Sequence, residues 1–439
     1  MRPPPARTSP TGAPLLGARL ASVGLTYVGL TCVGLLLAAA GPAATQERLP
    51  GGRVLTFGTT IGLASSDNYA LDPGGPGRSE ATLGLSLGLV AATPIDRFEL
   101  DSDIGFRVDT RGGGVQVTRT NLALSWVRTV RNAQLQFDAS VRRDEIEDLS
   151  PFDLVVGEDL DLLNATPVSG SATRLVFSTK ATLELGRAAP LGTTLSLGLR
   201  GTRYDGAGPS YEDNTGINAG LRIRADLDPV TEATLDLAGT TYVEGTDSDV
   251  LRLTLGLART GPTASVGASL GVVTEDAGTQ TSLSVNGTLE RPLARLTGRL
   301  GIARGTSGDL ALIGGAGLAM EFRLGDLSID LDRRVSFVEN GTTGITQERA
   351  VTTLRAGWDQ SLTELWQLGL DGRYVHTETV GGGGADSYGE LGGTLSRPLT
   401  RDWTVNFGLR HRFEINDTGP NARASSASVS LSRVVRRPF

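Results

Sequence analysis

The feature that most constrains the fold of this chain is an alternation of apolar with small or polar residues, which returns many times after Val54. In segment 82–89, leucines occupy every second position, and Thr, Gly or Ser fill the others. The same pattern recurs at 194–200, 251–258, 282–290 and 366–374. Because successive side chains of a strand point to opposite faces, a period of two predicts strands with one apolar face. Runs of about 10–14 residues are long for soluble strands but suit tilted strands crossing a bilayer.

The connections between these runs fall into two classes. Short turns, often containing Pro or Asp, lie near 93–96, 131–132, 189–192, 228–230, 261–262, 291–293, 325–326, 361–363 and 397–400. Connections that are often longer and richer in Gly and Asp lie at 66–78, 111–114, 144–172, 205–214, 245–249, 276–278, 305–308, 339–347, 378–387 and 416–423. These nine turns and ten loops delimit about 20 strands, with a range of roughly 18–22.

The sequence therefore predicts an all-β fold, a single transmembrane antiparallel β-barrel over residues 53–439 with short periplasmic turns and longer extracellular loops. Closure into a barrel pairs the backbone groups that a lipid-exposed sheet edge would leave unsatisfied. A soluble β-sandwich would show the same alternation and is the alternative. Four tryptophans near the predicted short turns favour the barrel, because aromatic residues gather at membrane interfaces. They are Trp126, Trp358, Trp366 and Trp403.

The N-terminal segment has the layout of an export signal. Three arginines and no acidic residue precede an apolar stretch at 20–40, and small residues follow at 41–44. A basic, then apolar, then small-residue order is typical of a secretory signal peptide, so we expect residues 1–44 to be cleaved. Residues 45–52 would then form a short periplasmic segment. A retained membrane anchor is the alternative, because the apolar stretch is long enough to span a bilayer.

Composition excludes several other classes of protein. The single cysteine, Cys32, rules out a disulfide scaffold and Cys-based metal or redox motifs. The formal net charge of −7 argues against a nucleic-acid partner, because phosphate binding needs a basic face. No cofactor is expected.

The C-terminal segment carries a resemblance to a known class. Phe439 ends a run of alternating apolar residues that begins at Val429, and the turn at 395–402 leads into a strand beginning with Trp403. An aromatic residue closing an alternating last strand is similar to Gram-negative outer-membrane β-barrel proteins, and the turn resembles that of β-barrel porins. The resemblance implies location in the cell outer membrane, contact with its lipid, and recognition of the last strand by the barrel-assembly machinery.

Alternation also assigns charged residues to the interior. Arginine costs about 2–4 kcal/mol at the middle of the lipid face, whereas a water-filled interior imposes no such cost. A barrel of about 20 strands is wider than the 16–18-stranded barrels that already hold an aqueous channel. The alternative is that these residues form cross-strand ion pairs with no role in transport. The candidate pore-lining residues are Arg107, Arg222, Arg224, Arg295, Arg299, Asp330, Asp332, Arg355, Asp371, Arg373 and Arg410.

The segment 144–172 is the longest and most acidic connection. Loops of this length are usually functional or disordered. Apolar residues among the acids favour a folded loop that narrows the pore, where carboxylates would favour cations. A solvated extracellular flap is the alternative. The candidate constriction residues are Asp148, Asp153, Glu158, Asp159 and Asp161.

Signals for catalysis are weak, and no enzymatic activity is expected. Two G-x-S-x-G matches, at 84–88 and 267–271, lie inside alternating strands rather than at a strand–turn–helix corner. His376 lies near the loop end of its strand, eleven residues before Ser387, and a hydrolase would need such a pair together with an orienting group. An interfacial role for the histidine is the simpler interpretation.

The function expected from these patterns is passive diffusion of small hydrophilic solutes or ions through an outer-membrane porin-like channel. The alternatives are a barrel component of polysaccharide or protein export, or a structural scaffold. A TonB-dependent receptor and an autotransporter are disfavoured, because the predicted barrel begins near Arg53 and leaves no room for a plug or a passenger. The expected partners are lipid and small solutes, with a homo-oligomer left open.

Overall fold

A computed structural model describes residues 52–438, apart from 70, 72, 111–113, 147–171, 207–212, 245–248, 276–277, 306–307, 341–344, 381–383 and 418–419, and apart from the side chains of 336–340 and 345–347. Within these residues no helix is long and apolar enough to cross a membrane. The strands are β1 Gly52–Ser66, β2 Arg78–Ala92, β3 Asp96–Asp109, β4 Gln116–Val130, β5 Ala133–Glu145, β6 Thr173–Leu185, β7 Leu191–Asp205, β8 Asn214–Asp228, β9 Thr231–Glu244, β10 Val250–Thr260, β11 Ala264–Glu275, β12 Gly278–Arg291, β13 Ala294–Arg304, β14 Leu310–Phe322, β15 Gly325–Asn340, β16 Ile345–Ser361, β17 Gln367–Thr379, β18 Ala385–Pro398, β19 Trp403–Asn416 and β20 Ala422–Pro438.

The twenty described strands form one closed sheet. Each strand pairs antiparallel with the next, and β20 returns to pair with β1 from Val54 opposite Pro438 to Ser66 opposite Ser426. A ring of this kind has no edge strand, so backbone donors and acceptors are paired on both sides of every strand. The fold is a closed antiparallel β-barrel, as the alternation predicts, with a strand number inside the predicted range.

The connections alternate between the two ends of the barrel as expected. Two residues, Arg131 and Asn132, join β4 to β5, and Pro292 and Leu293 join β12 to β13. At the opposite end, β1 and β2 are separated by residues 67–77. Because consecutive strands are antiparallel, all short turns lie at one end and all loops at the other. This arrangement matches the two-sided pattern of outer-membrane barrels.

The outer face of the wall is apolar. Leu253 pairs with Leu237 on one side and with Val272 on the other, and Leu197 and Leu255 are 60 % and 47 % exposed. A continuous apolar surface of this kind is a liability in water, whereas lipid solvates it without cost.

An aromatic group marks the outer face near the short turns. Trp126 lies between Phe98 of β3 and Phe137 of β5 in direct register, four residues before the end of β4. Trp358 likewise pairs with Leu327 and Leu370 near the end of β16. Aromatic rings at this level are typical of the interface belt of a membrane barrel.

Candidate functional site

Strand register fixes which charged side chains share the inner face. In a single-layered wall, a large side chain becomes deeply buried on the concave side, and Arg107, Tyr388 and Glu390 are 2 %, 1 % and 3 % exposed. Following paired residues around the ring from Glu390 places all eleven sequence-predicted pore-lining residues on this same face. The structure brings only some of them together.

A row of charged side chains crosses the inner face near the middle of β15–β19. Asp330 pairs with Arg355, which in turn pairs with Arg373. Arg373 pairs with Glu390, and Glu390 pairs with Arg412. Directly paired residues have Cβ atoms about 4.5–5.5 Å apart. Two neighbouring arginines between two carboxylates therefore concentrate positive charge at the centre of the row.

A groove of about 470 Å³ lies in the wall at this row. We call it the lumen groove and define it by five charged residues and two glycines. These are Arg295, Asp330, Arg355, Asp371, Arg373, Gly317 and Gly357. Five of the predicted pore-lining residues thus line one cavity, although they come from four strands.

Glycines let the carboxylates of the lumen groove lie flat against the wall. The Asp330 Oδ2 atom is 3.3 Å from the place where a Cβ of Gly317 would lie, so Asp330 leans toward β14. The Asp371 carboxylate lies over Gly392 and so leans toward β18. Both acids turn away from β16. The space above Gly357, where the nearest atom to an added Cβ is the Ser328 hydroxyl oxygen at 3.0 Å, is left beside Arg355.

Two further ion pairs, which include three of the predicted pore-lining residues, flank the lumen groove. Arg299 of β13 donates to Asp332 of β15 at 2.7 Å across the intervening strand. Arg410 of β19 lies 3.4 Å from the Glu390 carboxylate. The Arg299–Asp332 pair is partly exposed to the lumen, so its net contribution to stability is small. In the second pair Arg410 is exposed and Glu390 is buried. Both guanidinium groups contribute to the electrostatic field in the water beside them.

The two predicted residues of β8 lie eight strands away from β16, and their contacts differ from each other. Arg222 forms an ion pair with Asp236 of β9. Arg224 donates through Nη2 to the carbonyl oxygens of Gly186 and Ala189 at 3.2 and 3.0 Å. Arg224 therefore ties the short β6–β7 turn to the wall at the end opposite the loops.

The described part of the β1–β2 loop folds onto the inner wall. The Ser425 amide donates to the Asp67 carboxylate at 2.6 Å, and the Asn68 side-chain amide donates to the Arg423 carbonyl at 2.9 Å. Leu71, at φ +57°, packs against the inner-face alanines 422 and 424, and all three are nearly fully buried. A left-handed non-glycine residue is costly, so these contacts offset the strain that the fold of the loop imposes.

Tyr69 is the anchor of this loop, and sequence reasoning missed it. Its ring lies 4.5 Å from the guanidinium of Arg78 and 5.4 Å from that of Arg107, and its hydroxyl accepts from Arg107. Arg412 donates to its carbonyl at 2.7 Å. Arg107 also forms an ion pair with Glu145, so this predicted pore-lining residue holds a loop rather than facing open water. The sequence feature that could have identified Tyr69 is an aromatic residue inside an otherwise polar loop.

The acidic residues expected to form a constriction lie outside the described residues. They are Asp148, Asp153, Glu158, Asp159 and Asp161. Across the described ranges, no group of three His, Cys, Asp or Glu residues is placed to hold a metal ion.

Gly392→Ala is expected to lower anion permeability modestly, because the new methyl group would collide with the Asp371 carboxylate and push it back over the lumen groove. Moving one charge by a few ångströms, at an effective dielectric constant near that of water, changes its interaction energy with a passing ion by a few tenths of a kcal/mol. This corresponds to a change of roughly 1.5-fold in the local concentration of that ion. The reversal potential in a salt gradient measures the change. Gly298→Ala is the matched control, because nothing lies within 4 Å of its added Cβ. Equal shifts in both variants would contradict the expectation.

No family model matches the chain, and no curated protein matches it. Among solved structures it is similar to the siderophore receptor PirA from Pseudomonas aeruginosa, at 11 % identity over 89 % of this chain and 82 % of that one, with a TM-score of 0.46. It is also similar to OccK2 (OpdF) of Pseudomonas aeruginosa, solved with glucuronate, at 16 % identity over 88 % and 98 % of the two chains and a TM-score of 0.42. OccK5 (OpdH) of the same organism matches at 14 % identity, 88 % and 98 % coverage and a TM-score of 0.41. The register around the ring and the apolar outer face together make this chain a closed twenty-strand β-barrel of the outer-membrane kind.

Proposed function

We propose that the protein is an outer-membrane channel for the passive diffusion of small hydrophilic solutes or ions. The observation that carries the proposal is the inner face of the closed ring, where charged side chains are interspersed with Gly, Ser and Thr. An aqueous interior solvates such charged groups, whereas lipid would not, so their presence on this face indicates a lumen filled with water. A ring of twenty strands has room for water inside, since narrower barrels already hold a channel.

The lumen groove supports a preference among solutes. Arg355 and Arg373 are direct cross-strand neighbours, and a guanidinium forms strong, bidentate hydrogen bonds with a carboxylate. Asp330 and Asp371, at the edges of the groove, can accept hydrogen bonds from hydroxyl groups. The proposal therefore favours small carboxylates that also carry hydroxyls.

The alternative function is export, in which the same outer-membrane barrel would carry a polysaccharide or a protein instead of a small solute.

For either function we propose that residues 1–44 direct export and are removed, and that the assembly machinery recognises the last strand through Phe439. Deletion of Phe439 is expected to lower the amount of folded barrel in outer-membrane fractions, and an unchanged amount would contradict this role.

Single-channel recording in a planar bilayer tests the proposed function. The purified full chain, shown to be folded by its shifted gel mobility without heating, is expected to give discrete and stable current steps. A folded protein that gives no current would overturn the channel and favour export or a scaffold.

Glucuronate is expected to reduce the ion current through the open channel more than glucose does at equal concentration. The two sugars differ in one carboxylate, which the lumen groove is expected to hold, and one charge-assisted pair contributes about 1.5–3 kcal/mol. Current noise and blocked time per event measure the effect. Equal block by both sugars, in channels that conduct normally, would contradict the solute preference without contradicting the channel.

A further inference from the structure

A polar cluster lies on the outer, lipid-facing side of the barrel near its loop end. His376 of β17 pairs in direct register with Ser387 of β18 and with Thr352 of β16. His376 lies an odd number of positions from the inner-face residues Arg373 and Asp371. Its side chain therefore points to the opposite face of the strand, the one that carries Leu370. His376 is nine residues from the turn end of β17 at Gln367. At about 3.4 Å per residue and a tilt of about 40°, this places it roughly 23 Å along the membrane normal, near the upper edge of the apolar band of about 25 Å.

The cluster contains a hydroxyl, an imidazole and a carboxylate in sequence. The Ser387 Oγ atom is 2.9 Å from His376 Nδ1. His376 Nε2 is 3.6 Å from an oxygen of Glu378. The carboxylate beside Nε2 favours the tautomer with its proton there, which leaves Nδ1 to accept a proton from the serine. Nucleophile, base and orienting acid at such separations are the arrangement that activates a serine, and the longer contact is typical of a resting site.

Two neighbouring side chains complete the cluster. Arg333 forms an ion pair with Glu378 and donates to the Thr352 hydroxyl at 2.9 Å, so the carboxylate is held in place from a third strand. The Tyr374 hydroxyl lies 3.1 Å from Ser387 Oγ. A phenol at this position can donate to a negatively charged oxygen that forms beside the serine. Ser387 itself is 8 % exposed, because side chains of the same wall, including His376 and Tyr374, cover it.

We propose that Ser387, His376 and Glu378 form a hydrolytic site that cleaves the long-chain carboxylic esters of membrane lipids. The site lies on the apolar face at the depth where acyl chains meet the headgroup region, so its substrate arrives from the bilayer rather than through the lumen. The inference stands apart from the channel proposal, because no residue of the lumen groove takes part. The sequence separates these residues by a loop, and only the β17–β18 register brings the serine to the histidine.

The reaction follows from the geometry. Ser387 Oγ attacks the ester carbonyl carbon while its proton passes to His376 Nδ1, and Tyr374 donates to the oxygen that becomes negative. The carbon–oxygen bond to the alcohol then breaks, and the alcohol leaves with the proton from His376. Water attacks the acyl-serine ester in the same manner, which releases a fatty acid and restores the serine. The reaction consumes one water for each ester cleaved and needs no oxidant or metal.

The chain contains a second His–Ser pair that serves as a matched control. His411 Nδ1 lies 3.0 Å from Ser425 Oγ, also in direct register and on the outer face. The ring next to His411 is that of Phe413, with centroids 6.4 Å apart. A carboxylate also lies at this pair, that of Asp67, but it accepts from the Ser425 backbone amide at 2.6 Å. The comparison therefore separates the effect of a carboxylate beside the imidazole and of a nearby phenol from that of a His–Ser contact.

Covalent labelling with a long-chain alkyl fluorophosphonate tests the site in the full chain folded in detergent. We expect label on Ser387, located by mass spectrometry of peptides, and loss of label in Ser387→Ala. Ser425→Ala is expected to label as the wild type does. Folded wild-type protein that takes no label, or that is labelled elsewhere, would overturn the proposal.

Hydrolysis of micellar phospholipid and of micellar lipid A, measured as fatty acid released, distinguishes the two lipid sources of such esters. His376→Gln is expected to reduce release at least about 100-fold, the range for loss of a general base, and Glu378→Gln by a smaller factor. Activity on one lipid alone identifies the source. Release that is unchanged in both variants, or absent on both lipids, contradicts the site.

A cysteine variant keeps the proposal testable if Ser387→Ala does not fold. The only native cysteine is Cys32, so a thiol at position 387 reports on its own surroundings in a Cys32→Ser background. We expect Glu378→Gln to slow alkylation of Ser387→Cys and to leave that of Ser425→Cys unchanged, so each thiol is compared with itself and the greater exposure of position 425 does not enter. An unchanged rate at position 387 would argue for a purely structural His–Ser contact.

Discussion

Replacing Arg355 and Arg373 together with Gln is expected to lower the ratio of anion to cation permeability at least about threefold. The two guanidinium groups are cross-strand neighbours in the lumen groove, and the variant leaves Asp330 and Asp371 in place. A unit charge about 6 Å from a passing ion in water is worth about 0.7 kcal/mol, or roughly threefold in local ion concentration. The reversal potential of single channels in a salt gradient measures the ratio, and high salt should weaken the effect through screening.

Arg259→Gln is the matched control for this pair. Arg259 is an exposed arginine in β10 that alternates with the inner-face residue Ala258, so it lies on the outer face near a short turn. Its removal is expected to leave the reversal potential unchanged. A double variant that folds, conducts and keeps the wild-type reversal potential would show that the lumen groove lies off the ion path.

Tyr69→Ala is expected to release the β1–β2 loop from the inner wall. The change removes two arginine–ring contacts and the hydrogen bond from Arg107, which together contribute about 2–4 kcal/mol to docking of the loop. Hydrogen exchange of the backbone amides at positions 69 and 71 should accelerate roughly 30-fold or more. A loss of about 2 kcal/mol corresponds to this factor, since 1.4 kcal/mol is a factor of ten. Single-channel conductance should rise as the loop leaves the lumen.

Tyr69→Phe separates the two contributions. The ring contacts with Arg78 and Arg107 stay while the hydroxyl is lost, so exchange should accelerate less than in the alanine variant. If both variants exchange at the wild-type rate, the loop is held by Asp67, Asn68 and Leu71 and by the hydrogen bond from Arg412 to the carbonyl of residue 69. Unchanged conductance with faster exchange would mean that the loop opens without widening the path.

Much of the barrel could be predicted from the sequence because its determinants are local. Alternation at Leu251, Leu253, Leu255 and Leu257 is a property of one strand, and the turn at Arg131 and Asn132 needs two residues. Such features fix strand number, the apolar face and the end at which each connection lies. The inner-face position of Arg355 and Arg373 follows from the same alternation.

Pairing between strands could not be predicted in this way. The lumen groove depends on Asp330, Arg355 and Arg373 standing at one level, which is set by register across three strands. Its open floor depends on Gly317 and Gly392 receiving carboxylates from neighbouring strands. A shift of two residues in one strand would keep every face assignment and still dissolve the groove.

The sequence by itself determined that this chain forms a β-barrel with an apolar outside and a charged inside, because alternation along each strand and the two classes of connection are written in consecutive residues. Only the tertiary structure decided which residues act together. Tyr69 meets Arg412 across 343 positions of the chain, and Ser387 meets His376 through strand register. Closure of the ring fixes these registers all at once, since the last strand must meet the first, and no single segment carries that constraint.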